Sequence, residues 1–87
     1  MEIIKFSAEW CGPCKAYKNI FDKVVSEYSN ISVIEADVDK DNSITVKYGI
    51  RSVPTTIIVK NDVELDRITG IILDKDLKSI IDKYVSI

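Results

Sequence analysis

A pair of cysteines two residues apart is the feature that most constrains this chain. Cys11 and Cys14 are the protein's two cysteines, and both lie in the segment Trp10-Cys11-Gly12-Pro13-Cys14-Lys15. An apolar run precedes this segment and a stretch with helical periodicity follows it. Two thiols held this close, where a strand gives way to a helix, form a redox couple. The segment therefore predicts thiol–disulfide exchange.

The start of the helix distinguishes the two thiols. If the helix begins at Gly12 or Pro13, the Cys11 sulfur faces unpaired backbone N–H groups and the positive end of the helix dipole, which lowers the pKa of its thiol. Proline fits here because the first helical positions need no N–H partner. We expect Cys11 to attack a target disulfide as the thiolate, and a more deeply buried Cys14 to resolve the mixed disulfide.

Two other uses of such a pair are a structural disulfide and half of a metal site. A bridge between residues this close in sequence closes a very short loop, so it stabilises a fold little. Zinc prefers four nitrogen or sulfur ligands, and the chain has two cysteines and no histidine, so a zinc site needs two chains. The residues favour redox exchange over both.

Length and charge limit the remaining classes of protein. The chain has 87 residues, 46% of them hydrophobic, which predicts one domain, residues 1–87, with its own core. The net charge of -2 and the lack of a basic run argue against a nucleic-acid partner. No apolar stretch approaches the ~20 residues of a membrane span, and a strand-like segment stands at residues 1–3 in place of a signal peptide. We expect a cytoplasmic monomer that binds neither nucleic acid nor a membrane.

The apolar periodicity predicts an α/β fold with the element order β-α-β-α-β-β-α. Lys5 and Glu35 interrupt the apolar pattern of the first two strands, and Asn61-Asp62 is typical of a two-residue hairpin turn. A right-handed first crossover and a final antiparallel hairpin give a four-stranded mixed sheet flanked by three helices, with helices on both faces. The predicted strands are 2–7, 31–38, 56–60 and 63–69, and the predicted helices are 12–28, a short one from Asp41 or Asn42 to Gly49, and a last one from Asp74.

Three stretches together resemble the thioredoxin family. Ala8-Glu9-Trp10-Cys11-Gly12-Pro13-Cys14-Lys15 is similar to its active-site motif, Lys47-Tyr48-Gly49-Ile50-Arg51 with Val53-Pro54-Thr55 is similar to its second signature, and Gly70 lies where the family has a glycine after the last strand. The resemblance runs through essentially the whole chain. It implies a thioredoxin-like fold that lacks the N-terminal strand and helix of full-length members. It also implies a protein disulfide reductase without a bound cofactor, whose partners are disulfide-containing target proteins and a thioredoxin reductase.

The resemblance further implies a surface on which target proteins dock. Pro54 would be cis and lie against the two sulfurs, and the Val53 backbone would pair with an extended substrate strand. Residue statistics alone favour a trans proline, so the cis bond is an expectation of the resemblance. The implied docking surface is flat and apolar and comprises Trp10, Gly12, Pro13, Val53, Pro54, Gly70 and Ile71.

One departure from the family concerns the charges behind the resolving cysteine. Members usually have a buried aspartate on the strand before the motif and a lysine on the neighbouring strand, and this sequence has Lys5 and Glu35 in those places. A lone buried charge is costly, so we expect Lys5 and Glu35 to form a partly buried ion pair in which Glu35 accepts the proton of Cys14. In the alternative, Lys5 extends to solvent and Glu35 has no role.

Two other functions stay open. A glutathione-linked oxidoreductase of the glutaredoxin type uses the same chemistry, although glutaredoxins usually have Pro-Tyr between their cysteines, where this chain has Gly12-Pro13. A binding module that ignores redox state could use the same docking surface. Replacing Cys11 and Cys14 by serine separates the last case, because only a binding module would keep its biological activity.

Overall fold

The fold is built on one four-stranded mixed sheet, seen in a computed structural model that describes residues 1–86. The strands are β1 (Glu2–Ser7), β2 (Ser32–Asp37), β3 (Thr55–Lys60) and β4 (Val63–Thr69), and the helices are α1 (Gly12–Val25), α2 (Asn42–Lys47) and α3 (Asp74–Val85). The strand order is β2-β1-β3-β4, with β1 parallel to β2 and antiparallel to β3. The predicted α/β class and element order are confirmed.

Helices cover both faces of the sheet, as predicted. Because side chains alternate along a strand, Ile3 faces α1 and α3, whereas Ile4 and Phe6 face α2. The larger core cluster joins the sheet to α1 and α3 and contains Ile3, Tyr17, Phe21, Val24, Ile58, Ile72, Leu77 and Ile81. No helix within residues 1–86 is both long enough and apolar enough to cross a membrane.

The ends of several elements differ from the prediction. Helix α1 ends at Val25 rather than at residue 28, because the N–H groups of Glu27 and Tyr28 bond to carbonyls three residues back in a tightened turn. Strand β2 covers 32–37 rather than 31–38, and β3 begins at residue 55 rather than 56. The apolar residues of α1 include Ala16, but its side chain is exposed.

Two turns bring separate segments together. Asn61 and Asp62 have φ of 52° and 63° and form the predicted two-residue hairpin between β3 and β4. Gly70, just after β4, has φ of 98°, a value that L side chains rarely adopt. Its N–H donates to the carbonyl oxygen of Pro54 at 2.8 Å. The end of β4 is therefore fixed against the start of β3.

Candidate active site

The two cysteines form a disulfide at the N-terminus of α1. Cys11 is the N-cap residue, with extended backbone, and Gly12 and Pro13 are the first two helical residues. The backbone N–H of Cys14 donates to Cys11 Sγ at 3.1 Å. The Cys11 sulfur thus takes the place of the usual capping oxygen, at the positive end of the helix dipole. This position stabilises negative charge on Cys11 when the bond is reduced.

The cysteines do not differ in exposure. Cys11 is 4% exposed and Cys14 is 5% exposed, so the prediction that Cys14 is the more buried thiol is wrong for the disulfide form. The difference lies in their neighbours. Cys11 Sγ is 3.9 Å from the carbonyl oxygen of Val53, whereas Cys14 lines a cavity together with Lys5. Tertiary packing covers both sulfurs, and it gives each a different chemical environment.

Four residues of the predicted docking surface are near the disulfide: Val53 contacts Cys11, and Trp10, Gly12 and Pro13 adjoin the two cysteines in the chain. The Val53–Pro54 peptide bond is cis, as the resemblance implied, and Pro54 is buried. Trp10 is 70% exposed, and Gly12, Pro13 and Ile71 are also exposed. A small apolar groove beside the disulfide is lined by Trp10, Val38, Ile50, Arg51, Ser52 and Val53. The structure thus brings together segments that are far apart in sequence, and their role in docking stays a prediction.

Two polar contacts hold the exposed loop before Cys11. The indole N–H of Trp10 donates to the Asp39 carboxylate at 2.8 Å, and Lys40 Nζ is 2.7 Å from Glu9 Oε1. The Glu9 carboxylate raises the pKa of Lys40. Sequence reasoning missed the contact of Asp39 with Trp10. The parallel pairing of β1 and β2 was the available signal, because the carboxyl ends of parallel strands meet at one edge of a sheet.

Lys5 and Glu35 form the expected ion pair. They stand directly opposite each other on β1 and β2, and Lys5 Nζ is 2.9 Å from Glu35 Oε1. The side chain of Lys5 is 5% exposed and that of Glu35 is 53% exposed, so the alternative in which Lys5 extends to solvent is wrong. The ammonium also lies 4.9 Å from the centroid of the Phe21 ring. The pair therefore holds a buried cation beneath α1 and reaches solvent only through its carboxylate.

A cavity of about 150 Å³ lies beside Cys14, on its β1 side. Among residues 1–86, Lys5 contributes to its wall and Glu35 does not. The full lining comprises Lys5, Ser7, Ala8, Glu9, Cys14, Lys15, Lys18 and Asp37. A disulfide that caps a helix, with a groove on one side and this cavity on the other, defines the class of thiol–disulfide oxidoreductases.

Comparisons with known proteins agree with this class. Residues 1–83 match the family model described as Thioredoxin. The chain is 36% identical over 85 residues to the thioredoxin of Porphyra purpurea, covering 97% of this chain and 79% of that protein. It is 32% identical over 84 residues to thioredoxin 1 of Synechococcus elongatus, covering 95% and 78%. The solved structure of oxidised thioredoxin from Plasmodium falciparum matches with a TM-score of 0.84 and 37% identity, covering 95% of this chain and 79% of that one. The chain belongs to the thioredoxin family and is a disulfide reductase.

Proposed function

We propose that this protein reduces the disulfides of target proteins, with Cys11 as the attacking thiol and Cys14 as the resolving thiol. The observation that carries the proposal is the position of Cys11 Sγ, which caps α1 and accepts the N–H of Cys14 at 3.1 Å. A thiolate at this place gains both a hydrogen bond and the field of the helix terminus. Cys14, one turn further along, has no such position.

The reaction then runs in two exchanges. The Cys11 thiolate attacks one sulfur of the target disulfide, forms a mixed disulfide and releases the other target sulfur as a thiolate. The Cys14 thiolate attacks Cys11 Sγ, breaks the mixed disulfide and restores the Cys11–Cys14 bond. Two electrons pass from the protein to the target, and the two thiol protons end on the target's sulfurs. No bound cofactor takes part in either exchange.

The target docks on the surface around the disulfide. The Val53 carbonyl, 3.9 Å from Cys11 Sγ, lies where the backbone of an extended segment would pair as the sulfurs approach. The exposed Trp10 ring offers apolar contact area beside that position. The remaining members of the proposed docking surface are Gly12, Pro13, Pro54, Gly70 and Ile71.

A thioredoxin reductase returns the disulfide to the dithiol, and the protein acts in the cytoplasm. The physical support is that a reductant of other disulfides must itself be kept reduced, which a reducing compartment provides. Fractionation of cells that produce the full chain with a small tag tests the location. Recovery of the tagged protein in an oxidising compartment would contradict it.

Reduction of insulin disulfides tests the function. We expect turnover with a nicotinamide-dependent thioredoxin reductase as the electron source and little with glutathione, and turnover with glutathione alone would favour the glutaredoxin type. Cys14→Ser should accumulate a mixed disulfide with the target, whereas Cys11→Ser, its matched control, should form none. Equal trapping by the two variants would contradict the assigned roles.

The role of Glu35 as proton acceptor for Cys14 stays a prediction. Glu35 is bound to Lys5 and half exposed, so it is placed to pass a proton to solvent. If it accepts the proton, Glu35→Gln should change the pH–rate profile of insulin reduction, because the amide cannot take up a proton. An unchanged profile would show that Glu35 has no part in proton transfer.

A further inference from the structure

The buried charge that shares a cavity with Cys14 is a cation. Lys5 lines this cavity and its side chain is 5% exposed, whereas the carboxylate of its partner Glu35 lies outside the lining and is half exposed. We propose that the Lys5 ammonium stabilises the thiolate of Cys14 in the resolving exchange, and that Glu35 acts by holding Lys5 in position. The proposal rests on the proposed function and concerns its second exchange, in which Lys5 stabilises the thiolate electrostatically and Glu35 is the positioning residue.

The location of Lys5 is fixed by its neighbours in the sheet. On β1 it stands opposite Glu35 of β2 on one side and opposite Thr56 of β3 on the other. The Thr56 hydroxyl is hydrogen-bonded to the Tyr17 hydroxyl at 2.8 Å, and the ring of Phe21 lies on the ammonium at 4.9 Å. An ammonium has three N–H donors, and the Glu35 carboxylate takes one of them. Lys5 therefore keeps donor capacity beneath the first turn of α1, where Cys14 lies.

Of the other charged residues that line the cavity, Glu9, Lys15 and Lys18 are exposed to solvent and Asp37 is partly buried. Lys18 Nζ is 2.7 Å from Asp22 Oδ2, and Glu9 is paired with Lys40. Solvent screens such exposed charges strongly, whereas a buried charge is screened much less. The charged groups that line the cavity besides Lys5 are Glu9, Lys15, Lys18 and Asp37. Lys5 is thus the most deeply buried charge among the residues that line the cavity, and solvent screens it least.

The resolving exchange creates the charge that Lys5 would stabilise. In the disulfide both sulfurs are neutral, but Cys14 must lose its proton before it attacks Cys11 Sγ. Burial alone disfavours a thiolate, and a nearby cation favours it. The proton leaves to the target thiolate released in the first exchange. A carboxylate in this place would act by taking the proton. Removing the cation should raise the pH midpoint of Cys14, whereas removing a carboxylate should lower it.

Titration of a single thiol tests the proposal. In a Cys11→Ser background, Cys14 is the one thiol of the protein, and its ionisation is followed by the ultraviolet absorbance of the thiolate. Adding Lys5→Met should raise the pH midpoint of Cys14 by about one unit or more, as expected for the loss of an adjacent opposite charge. Lys5→Arg should restore the midpoint. Lys15→Met, which removes an exposed lysine of the same cavity, is the matched control and should shift it by less than about 0.3 units.

The outcomes separate this proposal from its rivals. A midpoint that is unchanged or falls in Lys5→Met overturns the proposal, and so does an equal shift in Lys15→Met. Far-ultraviolet circular dichroism checks that each variant is folded, and Lys5→Gln serves as the neutral variant if Lys5→Met is not. The insulin assay on the protein with both cysteines is read separately. If the protein with both cysteines reduces insulin but Lys5→Met does not shift the midpoint of Cys14, the role of Lys5 is refuted and the proposed function stands. If the protein with both cysteines does not reduce insulin, the proposed function is refuted whatever the titration shows.

Discussion

The raised pKa of Tyr17 leads to a prediction of how the stability of this protein changes in alkaline solution. The residue is fully buried in the core between α1 and the sheet, and its hydroxyl shares a hydrogen bond of 2.8 Å with the Thr56 hydroxyl. Burial raises the pKa of Tyr17 from 10.0 to about 12, and the hydrogen bond from Thr56 opposes part of that rise. The folded protein therefore holds the phenolic proton more tightly than the unfolded chain does.

The sign and size of the effect follow from that difference. Because the folded pKa is raised, the stabilisation is complete below pH 10 and is lost as the pH rises towards 12. Two pKa units correspond to about 2.7 kcal/mol in the free energy of unfolding, of which about 1.4 kcal/mol is lost by about pH 11. Tyr17→Phe cannot lose this contribution. At neutral pH it should be less stable by about 1 kcal/mol, the net value of a hydrogen bond. The two stability curves should therefore cross at about pH 11.

The free energy of unfolding of both proteins can be measured by urea unfolding of the oxidised form, followed by far-ultraviolet circular dichroism from neutral to alkaline pH. Thr56→Val is the matched control, because it removes the same hydrogen bond and keeps the phenol. Its stability should fall with pH at least as steeply as that of the unmodified protein, since the hydrogen bond lowers the pKa of Tyr17. A constant difference between Tyr17→Phe and the unmodified protein across the whole range would refute the reasoning.

Three further substitutions test packing, backbone and docking. Phe21→Ala should lower the free energy of unfolding by about 3–5 kcal/mol in the same urea experiment, because the ring is fully buried. Val63→Ala is the control, since Val63 is 58% exposed, and it should change the free energy of unfolding by less than about 0.5 kcal/mol. Gly70→Ala should cost about 1–2 kcal/mol because of its φ of 98°, although an added Cβ meets no atom within 4 Å; equal stability would contradict a backbone cause. Trp10→Ala should raise the KM for insulin reduction by about fivefold or more, as for the loss of an aromatic contact, while Asp39→Asn, which keeps an oxygen acceptor for the indole, should change it less.

Local sequence patterns were sufficient to predict most of the fold. The spacing of apolar residues located α1 and α3, and Tyr17 and Leu77 of these two helices are buried in the core. The alternation in the strands, together with the hairpin at residues 61–62, gave the pairing of β3 with β4. The pairing of Lys5 with Glu35 followed from the family resemblance, which puts both residues at the places of a charged pair, and from the cost of a lone buried charge. That the whole chain, residues 1–87, is one domain stays a prediction.

What the sequence did not reveal depends on contacts between distant segments. The equal burial of Cys11 and Cys14 results from packing by Ala8, Val38 and Val53, which no local spacing encodes. The shortened end of α1 reflects a choice between two hydrogen-bond patterns with similar energies. The cis bond before Pro54 came from the family resemblance, because residue statistics favour the other isomer.

The hydrogen bond from Gly70 to Pro54 has a consequence for recognition. This bond fixes one pair of loops, and the contact between Trp10 and Asp39 fixes another, before any target binds. The conformational entropy of ordering those loops is therefore lost during folding and not during association. If targets dock on the proposed surface, discrimination among them should depend on how easily each target extends the segment around its own disulfide. The protein should consequently reduce a disulfide in a flexible segment faster than one in a rigid segment of the same sequence.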